Sequence, residues 1–218
     1  MTLDVPLCRQ EKDSKDCGIV CVQMILAFYK KEKTFKEIKE YIEVHEEGTY
    51  APQIGSYFIK NGFNVEILTL HPSLFTLKNI GESQTFIQEH IKNLGKTATS
   101  EFDKKALRYF EEYLLLGGRL TPQIPAIEDV QQSINKKQPL IALLTSNFLT
   151  ESQPSFNFHF NVITGYTDGE IFHNDPLDDH RGGKHKTSLQ NFFFGMQASI
   201  YGGLDNGSLM KISPQSKF

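Results

Sequence analysis

The stretch that most constrains the fold is Cys17–Tyr29, CGIVCVQMILAFY, which carries apolar side chains almost all the way round a helix. A helix that is apolar on every face has to be surrounded by the rest of the protein. A charged, turn-rich segment, Gln10–Asp16, precedes it. We therefore predict a central, buried helix that begins at Cys17.

The order of the remaining elements indicates the fold class. Further helices are predicted at 35–42, 50–60, 83–94, 101–116, 126–136 and 189–194, and strands at 63–70, 139–145, 158–165, 171–175 and 207–212. Helices therefore come first and an antiparallel sheet follows, which is typical of an α+β fold and not of a doubly wound one. The two halves should enclose a cleft between them.

Composition excludes several classes of function. The chain has 218 residues, a net charge of −3 and a pI near 6.2, which suits one domain, 1–218, and gives no basic footprint for nucleic acid or an anionic membrane. The N-terminal residues are too polar for a secretory signal, and no apolar run reaches membrane-spanning length. We expect a cytoplasmic chain without a cofactor, although export by a dedicated secretion system stays open and the oligomeric state is not indicated.

Cys17 has the features of a nucleophile. A thiol attacks carbonyl groups as its thiolate, and a helix N-terminus or a nearby imidazolium favours that form. The free N–H groups of the first helical turn offer an oxyanion site, Gly18 lets a substrate backbone approach, and Gln10 could supply a further N–H donor. Alternatively, Cys17 is a small buried residue and Gln10 a solvated loop residue. We interpret Cys8 and Cys21 as inert, reduced thiols.

His159 is the candidate base, because it starts a strand whose returning partner ends at Asp175. An aspartate there can hold the imidazole and favour its cationic form. Side chains alternate between the two faces of a strand, so His159 and Asp175 share a face only if paired residue numbers sum to an even value. A two-residue Asp168-Gly169 loop gives an odd sum, so the triad requires a three-residue loop or a β-bulge. Otherwise His159 is structural and Asp175 caps a turn.

A second group of polar residues comprises Asp178, Asp179, His180 and His185. These are metal-ligand residue types, but glycines, Arg181 and Lys184 stand among them. We interpret the segment as a solvated loop and predict no metal site. His173 is assigned no role.

Together these motifs resemble the bacteriocin-leader, or double-glycine, cysteine peptidases of the papain-like superfamily. The resemblance is carried by Gln10, by DCGIVC with Cys17, and by HFNVITG from His159 with Asp175-Pro176. It implies a papain-like cysteine peptidase fold, with Cys17 as nucleophile, His159 as base, Asp175 as the residue that orients it and Gln10 as oxyanion donor. Residues 72–123 have no counterpart in the compact family domain, and we expect a helical insertion there.

The leading hypothesis is a thiol hydrolase that cleaves a peptide or related amide bond through an acyl-enzyme on Cys17, with a peptide or protein as substrate. The same residues could perform deamidation or acyl transfer, depending on the acceptor of the acyl group. A catalytically idle peptide-binding module of the same fold is the alternative from another class. Such a module would have no chemical need for the full set of Cys17, His159 and Asp175.

Overall fold

The computed structural model describes residues 1–150, 153 and 156–215. Its helices are α1 Cys17–Phe28, α2 Phe35–Lys39, α3 Ala51–Lys60, α4 Gln84–Thr97, α5 Glu101–Leu115, α6 Ile127–Asn135, α7 Asn147–Thr150 and α8 Leu189–Ala198. Its strands are β1 Phe63–Thr69, β2 Arg119–Pro122, β3 Leu140–Leu144, β4 His159–Tyr166, β5 Glu170–Asp175, β6 Gly183–Ser188 and β7 Leu209–Pro214. The mixture of leading helices and a following sheet confirms the α+β prediction.

One sheet of seven strands organises the described residues, in the order β2-β1-β7-β3-β4-β5-β6. β1 and β2 run parallel, whereas every other neighbouring pair is antiparallel. All of β3 and nearly all of β4 are buried, which explains their almost continuous apolar runs. β4 and β5 are neighbours, so their ends bring His159 and Asp175 into the interior.

α1 is the central helix, because it packs on β4 and also contacts α2 and α3. Gly18, in its first turn, makes the close packing possible. A Cβ at this position would overlap the hydroxyl of Thr49 and would lie 2.8 Å from the Cδ1 atom of Ile54 and 3.2 Å from the Cδ2 atom of Phe160. The glycine therefore allows α1 to pack closely on α3 and β4. The sequence had instead suggested that Gly18 makes room for the backbone of a substrate.

The segment 72–123 contributes more than surface helices. α4 and α5 pack on each other, α5 also packs on α3, and β2 lies beside β1 in the sheet. Tyr113 of α5 is fully buried, and its hydroxyl oxygen lies 2.9 Å from the carbonyl oxygens of Val65 and Arg119. Gln84 covers the outer side of β2, since its amide donates to the carbonyl of Leu120 at 3.1 Å and accepts from the same residue's N–H at 3.0 Å.

Two strands depart from the sequence-based expectation. The expected solvated loop at 178–185 is wrong from Gly183 onward, because Gly183–Ser188 forms an edge strand along β5. Its exposed residues, Lys184 and Lys186, alternate with half-buried His185 and Thr187. An edge strand of this composition has no apolar face, so it lacks the hydrophobic alternation that predicts strands. The short strand β2 was also not predicted.

Candidate active site

The candidate triad residues all lie at the ends of elements. Cys17 is the first residue of α1, His159 is the first residue of β4, and Asp175 is the last residue of β5. All three side chains are buried, Cys17 being 9% exposed, His159 3% and Asp175 0%. Packing of α1 on β4 brings the helix start to the strand that carries the imidazole.

β4 and β5 are joined by a tight two-residue turn. Tyr166 pairs with Ile171, so the paired numbers there sum to an odd value and the loop is Asp168-Gly169. Carried along the whole of both strands, this register would place the imidazole and the carboxylate on opposite faces of the sheet.

A β-bulge changes that register before the strands reach the site. The shift lies between Ile163 and Gly165, and Ile163 pairs with His173, which gives an even sum. His159 and Asp175 therefore share a face, and the prediction that a bulge or a longer loop would be needed is confirmed in its bulge form.

Asp175 is held by three hydrogen bonds. Its Oδ1 atom lies 2.7 Å from Nε2 of His159 and accepts from the N–H of Leu177 at 2.9 Å. Its Oδ2 atom accepts from Nδ2 of Asn161 at 3.1 Å. Because Nε2 of His159 is engaged with the carboxylate, Nδ1 is left to interact with the thiol of Cys17.

His159 and Asp175 each stabilise the charged form of the other. Burial alone would lower the pKa of His159, but the charges of Asp175 and Cys17 and hydrogen bonds to both raise that pKa to about 10. Burial would also raise the pKa of Asp175, yet the His159 charge and the three hydrogen bonds hold that pKa below its usual range. The arrangement favours an imidazolium paired with the carboxylate of Asp175, and a neighbouring imidazolium is what activates a thiol nucleophile.

Gln10 is buried, 7% exposed, and therefore is not a solvated loop residue. Its backbone N–H donates to the carbonyl of Pro176 at 2.8 Å, which ties it to the chain just beyond Asp175. Its side-chain Nε2 donates to the carbonyl of Ser14 at 2.8 Å, and this amide nitrogen has a second hydrogen to offer. Among the described residues, its Oε1 atom has no hydrogen-bond partner.

A small cavity of about 30 Å³ opens beside Cys17. Its lining includes Cys17, Thr49, Tyr50, Phe102, Phe158 and Asp205. Phe102, from α5, also borders an adjoining groove of about 510 Å³. A cavity of about 550 Å³ between α2, α3 and α5 contains none of the four predicted site residues. The segment 72–123 therefore reaches the candidate site through one aromatic ring.

Asp205 is a buried carboxyl group on the wall of the small cavity. Its Oδ2 atom accepts from the N–H of Ala51, at the start of α3, at 2.7 Å. Burial raises the pKa of Asp205 to about 6, an effect that this N–H only partly offsets.

The other two cysteines differ from Cys17. Cys21 is fully buried, its Sγ lies 3.3 Å from the carbonyl oxygen of Phe160, and burial raises its pKa well above the usual value. Cys8 is partly buried, and burial raises its pKa too. Neither thiol has the imidazole partner that Cys17 has.

Sequence analysis overlooked two residues behind Asp175. Asn161 and His173 are buried and hydrogen-bonded to each other at 2.7 Å. Asn161 stands two residues after His159, so strand alternation already places both on one face. That signal was available in the sequence, whereas the partner of His173 could be found only from the register. The described residues hold no group of three or more potential ligands placed for a metal ion.

The fold and the site define a class: the chain has the papain-like fold of cysteine peptidase domains, with a cysteine at the start of the central helix and a histidine on the sheet. The model of the Peptidase_C39 like family matches residues 2–201. The chain belongs to this family and is a C39-like cysteine peptidase domain.

Three solved structures are similar to the chain over nearly its whole length. The peptidase domain of Streptococcus ComA, a bifunctional ABC transporter involved in quorum sensing, is 14% identical with a TM-score of 0.50, covering 96% of this chain and 98% of that one. A double-glycine-motif protease from an AMS/PCAT transporter, solved with its leader peptide, is 16% identical with a TM-score of 0.49, covering 98% and 94%. A C39-like peptidase from Bacillus anthracis is 14% identical with a TM-score of 0.49, covering 99% and 98%.

Curated proteins yield no significant match to the chain. Among the described helices, none has both the length and the apolar character required to cross a membrane.

Proposed function

We propose that the chain is a thiol hydrolase of peptide bonds in which Cys17 is the nucleophile, His159 the general base and acid, and Asp175 the residue that orients the imidazole. The observation that carries this proposal is the buried contact of 2.7 Å between His159 and Asp175 at the strand on which α1 packs, so that Cys17 lies beside the imidazole.

In the proposed reaction, the thiolate of Cys17 attacks the carbonyl carbon and forms a tetrahedral intermediate. The imidazolium of His159 then protonates the leaving amine, and a thioester remains on Cys17. His159 next removes a proton from water, which attacks the thioester and releases the carboxylic acid. Asp175 stabilises the imidazolium in both halves of the cycle.

The oxyanion is the remaining charge to be stabilised. Cys17 and Gly18 lie in the first turn of α1, whose N–H groups have no partner within the helix. We propose that they and the second hydrogen on Nε2 of Gln10 donate to the oxyanion. This role for Gln10 follows from the family resemblance, and its burial beside Pro176 supports it.

We further propose that the substrate is a peptide segment that enters through the groove beside Phe102. The leader peptide bound by the AMS/PCAT transporter protease supports a peptide as ligand. In this proposal, residues 1–218 form one domain, and 72–123 is an insertion that acts on substrate choice rather than on bond cleavage, because Phe102 lines the cavity that contains Cys17.

The test combines labelling and turnover. We expect iodoacetamide at mildly acidic pH to alkylate Cys17 in preference to Cys8 and Cys21, as read by peptide mass spectrometry. We expect Cys17→Ala to abolish cleavage of a peptide library at an unchanged melting temperature, and Cys21→Ala, the matched control in the same helix, to retain it.

Selective labelling without any cleavage would favour an acyltransferase or a deamidase. Added amine acceptors would reveal acyl transfer, and glutamine-containing peptides would reveal deamidation. Absence of both would leave a peptide-binding module and contradict the proposal.

A further inference from the structure

A chain of buried polar side chains continues from Asp175 away from Cys17. Asn161 donates to Asp175, its Oδ1 atom lies 2.7 Å from Nδ1 of His173, and Nε2 of His173 lies 2.9 Å from the hydroxyl of Thr187. Asn161 is 0% exposed and His173 1%. We call Asn161, His173 and Thr187 the Asp175 relay. It crosses three neighbouring strands, β4, β5 and β6.

The protons of the relay can be assigned one after another. Asn161 uses its N–H group on Asp175, so its Oδ1 atom faces His173 and can only accept. His173 must therefore carry its proton on Nδ1, which leaves Nε2 as an acceptor for the hydroxyl of Thr187. In each hydrogen bond of the relay, the donor is then the residue that lies farther from Asp175.

Burial keeps His173 neutral in this role. Burial and the nearby His185 lower the pKa of His173 to about 3, against an opposing effect of Asp175. A neutral imidazole with one fixed tautomer is an unambiguous donor to Asn161 over the whole working range of pH. A protonated His173 would need an acceptor at Nε2, and a hydroxyl that already donates there would have to turn round.

We propose that His173 and Asn161 are positioning residues that, with Thr187, hold Asp175 as a carboxylate directed at His159. The inference rests on the proposed function, because it concerns the ion pair of Cys17 and His159. His173 keeps the amide of Asn161 from rotating, and the amide supplies a donor to the carboxylate. Without that donor, Asp175 becomes protonated at a higher pH, and a neutral Asp175 no longer stabilises the imidazolium.

The groups that act on this centre are few. Asp175 interacts with the charge of His159 on β4 and lies near Cys21 on α1. His173 has His185 opposite it on β6 and is also within the influence of Asp175 and His159. α8 packs on His173 through the ring of Phe192, and the centroids of the His173 and Phe192 rings lie 5.2 Å apart. The acid limb of Cys17 reactivity therefore reports on Asp175 and its donors.

The experiment compares two substitutions of one residue. His173→Leu preserves bulk and removes the donor, whereas His173→Asn leaves more empty space and keeps an N–H near the position of Nδ1. The probe is iodoacetamide, and the readout is the midpoint pH of the acid limb of Cys17 alkylation, with melting temperatures as a check on folding. Lys186→Ala, at an exposed position of β6, is the control.

We expect the midpoint to rise by about one pH unit in His173→Leu, and to return most of the way in His173→Asn. A packing role would order the two variants the other way, because the smaller side chain leaves the larger cavity. A folded His173→Leu protein with the wild-type midpoint would overturn the relay.

A second measurement needs no variant. Nitrogen-15 spectra of the wild-type protein should show His173 neutral, with its proton on Nδ1, at neutral pH. A proton on Nε2, or a cationic His173, would contradict the inference even if His173→Leu does not fold. If wild-type Cys17 itself shows no selective alkylation, the proposed function fails, and this result is distinct from a failure of the relay.

Discussion

At the scale of single residues, Asp175 decides how the charge of His159 depends on pH. We expect Asp175→Asn to lower the pKa of His159 from about 10 by about two units, since a carboxylate in direct contact shifts a pKa by about 1–3 units. Nuclear magnetic resonance titration of the imidazole measures the shift directly. An unchanged titration in a folded Asp175→Asn protein would mean that burial and Cys17 alone set the charge of His159.

The same pair of shifts makes stability depend on pH. The raised pKa of His159 stabilises the fold fully below about pH 6.5, its unfolded value, and this contribution is lost as the pH rises through about 10. The lowered pKa of Asp175 stabilises the fold above about pH 3.9, and this contribution is lost as the pH falls through the folded value. The difference in melting temperature between wild type and Asp175→Asn should therefore be largest near pH 5–6 and small above pH 10.

At the scale of elements, the position of α1 depends on Gly18. We expect Gly18→Ala to destabilise the protein by about 1–3 kcal/mol and to reduce alkylation of Cys17, because the added methyl group overlaps Thr49 and Ile54 and displaces the first turn of α1. Urea denaturation and labelling kinetics measure the two effects. Gln23→Ala, at a partly buried position of the same helix, should change neither by much, and a fully reactive Gly18→Ala protein would contradict the argument.

Elements were predictable where the signal was local. The helix predicted from residue 35 does begin at Phe35, where Thr34 and Glu37 form a capping box, and the apolar run after Asp16 is α1. The bulge between β4 and β5 was predictable only as a condition for bringing His159 and Asp175 together. Its location, and the register that brings His173 to Asn161, arise from pairing with the rest of the sheet, which no local pattern contains.

At the scale of the whole molecule, the segment 72–123 links a distant part of the chain to the cavity beside Cys17. We expect Phe102→Ala to leave the rate of alkylation by iodoacetamide within about twofold, because alkylation involves no recognition of a peptide chain, and to change which peptides are cleaved. Phe86→Ala is the matched control, since Phe86 is 43% exposed on α4 and does not line that cavity. Equal peptide preferences in wild type and Phe102→Ala would contradict a role for the segment in substrate choice.

A point substitution tests this role better than removal of the segment. Tyr113 and β2 tie 72–123 to β1, so a chain without these residues would expose an edge of β1 and lose a buried aromatic ring. Loss of activity in such a chain would report on folding as much as on recognition.

The amide of Gln84 has a consequence for how the molecule behaves in concentrated solution. A strand at the border of a sheet offers unpaired N–H and C=O groups to any other chain that can extend alongside it, which is a common first step of aggregation. Gln84 already occupies the N–H and the C=O of Leu120, and at the opposite border β6 presents the exposed charged side chains of Lys184 and Lys186. Intermolecular strand pairing is thus opposed at both borders, at one by a side chain that imitates a neighbouring strand and at the other by hydrated charged side chains, Lys184 with Asp4 and Lys186 with Glu170.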